Sequence, residues 1–69
     1  MKLSARNVLR GKIIDVKKGA TTARVRIAIT GIAVVTASIT NEAIDELSLA
    51  IGGDAYAIIK ASNVIVARD

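Results

Sequence analysis

Cysteine and histidine are absent from this 69-residue chain, and Tyr56 is its only aromatic residue. Without thiols or imidazoles there can be no disulfide and no Cys/His zinc site. Ser/His/Asp and Cys/His nucleophilic arrangements fall with them, and a general base near neutral pH would have to be a strongly shifted Lys or carboxylate. The carboxylates follow no calcium-loop spacing, so cation chelation is poorly served. Catalysis is therefore not expected. With Tyr56 alone there is no platform for base stacking, so a single-strand nucleic-acid module ranks second to a binder of small anions. No run is long and apolar enough to span a membrane, and Lys2 is followed by Ser4, Arg6 and Asn7 rather than by a signal-peptide core. The expected compartment is the cytoplasm.

What is present is aliphatic. Hydrophobic residues make up 52% of the chain, more than one small barrel hides, and a domain of this size buries a low fraction of its unfolded surface. Oligomerisation is the expected remedy. Charge is unevenly placed. Residues 1–26 hold eight basic side chains against Asp15, a balance of +7, whereas residues 27–69 hold Lys60 and Arg68 against five acids, a balance of −3. The asymmetry fits an anionic partner, subunits that meet basic half to acidic half, or simply a solvated charged face.

Residues Val8 to Val16 read as a first strand, with Gly11 as a point of bend or bulge. Lys17-Lys18-Gly19 reads as a turn with Gly19 free to take positive φ. From Thr21 to Ile29 the pattern alternates, Val25, Ile27 and Ile29 against Arg24, Arg26 and Ala28, and predicts a second strand. Thr30-Gly31 predicts a hairpin into a third strand, Ile32 to Thr40, with Ala33, Val35, Ala37 and Ile39 on one face. The period then changes. Thr40 caps a short helix over residues 41–47, and Ile44 and Leu47 would pack on the sheet. Gly52-Gly53 breaks the connection, and Tyr56 to Lys60 and Val64 to Ala67 predict two further strands, each apolar on both faces and so covered from two sides. The fold class is all-β with one short helix: a five-stranded OB-like barrel of order β-β-β-α-β-β, one domain over residues 1–69, with an SH3-like barrel as the alternative.

Two donor clusters stand out. Ser4-Ala5-Arg6-Asn7 near one end and Lys60-Ala61-Ser62 near the other offer charge-assisted and neutral donors of the kind that hold a tetrahedral anion. Thr40 and the first helical N–H groups add donors favoured by the helix dipole. Each residue also has an ordinary role: Ser4 and Asn7 as turn formers, Thr40 as a cap, Lys60 as a surface charge, Ser62 as a loop residue.

Taken together the motifs resemble the molbindins, or Mop domains, small proteins that bind molybdate and tungstate. The resemblance runs from Ser4-Ala5-Arg6-Asn7, Leu9 and Gly11-Lys12 through Lys17-Lys18-Gly19, Val35-Thr36-Ala37-Ser38-Ile39-Thr40, Leu47 and Gly52 to Ala57-Ile58-Ile59-Lys60-Ala61-Ser62 and Val64-Ile65-Val66. It implies an OB-like barrel assembled as a homohexamer, a trimer of dimers, with oxyanions at subunit interfaces. It assigns the oxyanion to Ser4, Arg6 and Lys60, with Thr40 from a neighbouring subunit, the backbone N–H groups of Ala5 and Ala61 as further donors and Ser62 close by. Ala43 stands where many relatives have Ser, so one hydroxyl is missing. The implied role is reversible storage and buffering of molybdate or tungstate, with the metal held only as an oxyanion.

Overall fold

The computed structural model describes residues 5–30 and 33–69. Four antiparallel strands form one sheet in the order β3-β2-β1-β4: β1 (Asn7–Lys18), β2 (Thr22–Ile29), β3 (Val34–Thr40) and β4 (Asp54–Ile59). Between β3 and β4 lies one short helix, α1 (Asn41–Glu46). The sheet curls so that its edge strands β3 and β4 both line one apolar cleft, giving a half-barrel with an open seam.

Strand β1 is the spine. It pairs with β4 over residues 7–12 and with β2 over residues 11–18, and the second ladder skips Ile14 in a β-bulge. The bulge is thus displaced from Gly11, the expected bend. Gly11 meets a different need, because a Cβ there would lie 2.4 Å from the Ala28 carbonyl oxygen. The two strands approach too closely for any side chain. Gly19 closes the β1–β2 turn by donating to the Thr22 carbonyl at 2.7 Å, without positive φ. Among the described glycines that backbone conformation belongs to Gly52, at φ +90°. The turn at Gly52 docks onto the spine: Ile13 N–H donates to Gly53 O and Gly52 N–H to Ile13 O, each at 2.8 Å.

The alternation predicted for β2 holds, and it builds the core. Ala23, Val25 and Ile27 are buried with Ile13, Ala57 and Ile44, the residue by which α1 plugs one end of the half-barrel. Val35 and Ile39 of β3 pack partly against them. Leu47 does not. It lies beyond the last helical turn and is 65% exposed, and Leu49 packs against the core instead. The helix ends in a Schellman arrangement, with Ser48 N–H donating to Asp45 O and Leu49 N–H to Ile44 O. This reversal points the chain back at the core at Leu49, two residues later than the Leu47 that helical spacing predicts.

The largest departure is at the carboxyl end. Ala61–Asn63 form one 3-10 turn, and residues 64–69 form no strand. Val64 to Ala67, expected as a fifth strand, have no partner in the sheet, with Ile65 93% and Val66 88% exposed. The outer face of β4 is likewise uncovered at Tyr56 and Ile58. Strand patterning signals that a segment wants an edge but not that the edge belongs to the same chain. Among the described residues no helix is long and apolar enough to cross a membrane.

Candidate functional site

Two of the three donor groups meet through strand pairing. Asn7 opposes Ile59 at the end of the β1–β4 ladder, and its side-chain amide donates to the Ile59 carbonyl at 3.1 Å. The register therefore sets Ala5-Arg6, which lead into β1, beside Lys60-Ala61-Ser62, which leave β4. Residues distant in sequence become neighbours by the pairing of two strand ends. Lys60 is extended (φ −63°, ψ 139°), and the 3-10 turn beginning at Ala61 folds the backbone away from it. Arg6, Lys60, Ala61 and Ser62 are exposed and Ala5 is half-buried. Among the described residues neither Arg6 nor Lys60 makes an ion pair. Neither stretch contains a carboxylate. Ser4, the first donor of the opening motif, lies outside the described residues.

Thr40 is elsewhere. It opposes Thr22 at the far end of the β2–β3 ladder, and Ala23 next to Thr22 opposes Lys18, the last residue of β1. The twelve residues of β1 separate Thr40 from Arg6, roughly 35–40 Å of strand contour at about 3.3 Å per residue. A single chain does not bring Thr40 to Arg6 and Lys60. Thr40 is the N-cap of α1 as predicted, its Oγ1 accepting from Ala43 N at 3.1 Å. That bond occupies one early helical N–H and the Thr21 carbonyl accepts from another, that of Asn41, so the helix start offers two donors fewer than the sequence suggested.

Two surface features were not singled out from sequence. On the outer face, Asp54 accepts from Lys12 at 2.9 Å and lies 3.6 Å from Arg10. The three groups border a shallow depression beside Gly11. Lys12, by hydrogen bond and by charge, holds the Asp54 carboxyl below its ordinary value of 3.8; desolvation opposes it less strongly, and Arg10 adds a lesser lowering. Here the basic excess of the first 26 residues is partly neutralised. The second feature is the seam, a cleft of about 670 Å³ lined by Val35, Ala37, Ile39, Leu49, Ala57 and Ile59 among others. The exposed aliphatic excess of the composition was its signal. Among the described residues no group of acidic side chains is placed to hold a metal cation.

Comparison with known proteins accords with this architecture. Residues 3–66 match the TOBE domain family. The chain is 46% identical over 66 residues to a probable molybdenum-pterin-binding protein of Haemophilus influenzae, covering 96% of each. It superposes with a TM-score of 0.91 on the cytoplasmic molybdate-binding protein ModG solved with molybdate bound, at 46% identity, covering 94% of this chain and 46% of that one. It thus spans about half of the ModG chain. A molybdate-binding protein from Sporomusa ovata gives a TM-score of 0.92 at 29% identity, covering 99% of this chain and all of that one. The chain belongs to the TOBE domain family and, within it, to the Mop proteins or molbindins, which are molybdate-binding proteins and not enzymes.

Proposed function

We propose that this protein binds molybdate, and tungstate as its close analogue, reversibly and without covalent chemistry, and that it stores and buffers the oxyanion in the cytoplasm. The observation that carries the reading is the strand register that sets Arg6 beside Lys60, two cations without a described ion pair at a junction free of carboxylates. Such a junction favours a small dianion through charge-assisted hydrogen bonds. Ser4, Arg6, Lys60, Ser62 and the backbone N–H groups of Ala5 and Ala61 form one wall. Thr40 of a neighbouring subunit forms the other, since within one chain the length of β1 lies between them.

The assembly is a homohexamer, a trimer of dimers, of one-domain subunits. The exposed Val64–Ala67 segment of a neighbouring copy completes each barrel as a fifth strand along the seam between β3 and β4. The near-complete exposure of Ile65 and Val66 and the apolar lining of the seam support this closure. Sequestering them recovers hydrophobic free energy that one chain alone leaves unrealised.

Calorimetric titration with molybdate under excess sulfate, alongside native mass spectrometry, tests the reading. Saturable molybdate uptake by a hexamer, retained against sulfate, is expected. Lys60→Ala and Arg6→Ala should each weaken it about tenfold or more, the scale of one lost charge-assisted bond at about 1.5–3 kcal/mol. No uptake, or equal affinity for sulfate, would overturn the function. Unchanged affinity in both variants would overturn the site.

A further inference from the structure

The end of β3 that carries Thr40 is fastened to the β1–β2 turn by contacts that no packing requirement explains. Helix α1 has six residues and buries only Ile44, too little by itself to fix the direction of its first residue. Three bonds do so. Asn41 N–H donates to the Thr21 carbonyl at 3.0 Å. The Asn41 side-chain Nδ2 donates to the Gly19 carbonyl at 2.9 Å. Lys18 Nζ donates to Asp45 Oδ1 at 2.7 Å. The amide oriented this way leaves Asn41 Oδ1 buried without a partner among the described residues. Rotating the amide would set Oδ1 against the Gly19 carbonyl oxygen, so the donor orientation is fixed.

Directly before this clasp, the Thr40 hydroxyl accepts from Ala43 N at 3.1 Å. Its own proton is therefore free to be donated outward. With accepting direction and helix start both fixed, the donated bond has a defined aim. The aim is set by Asn41, one residue on.

Resting on the oxyanion reading above, we propose that Asn41 is a positioning residue for the Thr40 hydroxyl, with the Lys18–Asp45 pair as a weaker second fastening. Asn41 touches no anion. It holds the edge-strand end so that the Thr40 proton meets the anion presented by the neighbouring subunit's Arg6–Lys60 wall without first being ordered on binding. Pre-ordering of this kind raises affinity by removing an entropic cost of association.

The test is a double-mutant cycle on the intact chain, read as molybdate affinity by calorimetry, with native mass spectrometry verifying the assembly. Asn41→Ala should weaken binding about three- to tenfold, although alanine is the better helix former at this position. Thr40→Ala should weaken it at least as much. The double variant should bind no worse than Thr40→Ala alone, because the clasp acts only through that hydroxyl. A purely structural role would make the two losses multiply, and that result, or full affinity in Asn41→Ala, overturns the proposal. If Asn41→Ala does not assemble, Lys18→Met takes its place in the same cycle, with a smaller loss and the same lack of additivity. Should Lys60→Ala lose affinity while Thr40→Ala keeps it, the anion site stands and the positioning role falls. Should the wild-type protein take up no molybdate, the functional reading itself falls.

Discussion

Single residues show how narrowly this half-barrel is specified. Gly11 is present because the Ala28 carbonyl and the Ile27 side chain occupy the space of a Cβ. Gly11→Ala should therefore destabilise the fold by roughly 1–3 kcal/mol through overpacking against backbone. Urea denaturation with an unchanged midpoint would refute that. Asp54 illustrates a gentler dependence. Its folded-state pKa is depressed, so its stabilising contribution is present above the ordinary value of 3.8 and is lost as pH falls through the folded value. Wild type should exceed Asp54→Asn in stability at pH 7, and the gap should narrow in chemical denaturation as the pH is taken below 3.8. A gap independent of pH would show that the ion pairs with Lys12 and Arg10 contribute nothing. The inward set Val25 and Ile27 was legible in the sequence because alternation states directly which side of a strand is dry. The reason for Gly11 was not, since close approach depends on a strand that sequence places beside it only after pairing.

At the scale of elements, the reading from sequence placed every described strand and the helix and ended β2 at Ile29 and β3 at Thr40 as found, but missed the ends of β1, α1 and β4 by one or two residues. Strand β1 extends to Asn7 and Lys18, one residue earlier and two later than its apolar pattern, because pairing on both flanks carries polar residues into the ladder. The expected start of β3 at Ile32 lies outside the described residues. Leu47 shows why helical spacing fails at a helix end: the Schellman reversal takes the chain off the periodicity, and Leu49 packs instead. That reversal puts Ser48 at φ 52°, where an L side chain is strained. Ser48→Gly should raise stability by about 1 kcal/mol. A thermal melt shifted upward checks this, and a lowered melting temperature would mean that the serine side chain makes a compensating contact.

The molecule as a whole carries its unfinished business in the seam and in residues 64–69. Sequence identified Val64 to Ala67 as strand material, and chemistry gave no means of knowing that its own sheet would leave it unpaired. The same holds for the site. The donor types of the candidate site are a reading of the sequence, and the approach of its two clusters follows once β1 and β4 are known to be neighbours. The distance from Thr40 to Lys60 was not readable, because it depends on β1 forming the continuous spine between them. Deleting residues 64–69 should abolish assembly, seen as monomer by native mass spectrometry, and with it molybdate uptake. A truncated chain that still forms hexamers would exclude these residues as the closing strand.

The bulge at Ile14 has a consequence for the clasp. Side chains along a strand keep time in twos, and Ile14 adds one beat. Before it, Ile13 opposes Ile27 on the core side; after it, Val16 opposes Val25 and Lys18 opposes Ala23, also on the core side. Were Ile14 taken into the ladder in regular register, Lys17 would oppose Ala23 and turn inward and Lys18 would turn outward. Lys18 would then face away from Asp45, while the half of β1 that pairs with β4 and leads to Lys60 kept its phase. One bulged residue thus sets the two ends of the spine on independent clocks, one phased to β4 and the other to the clasp on α1.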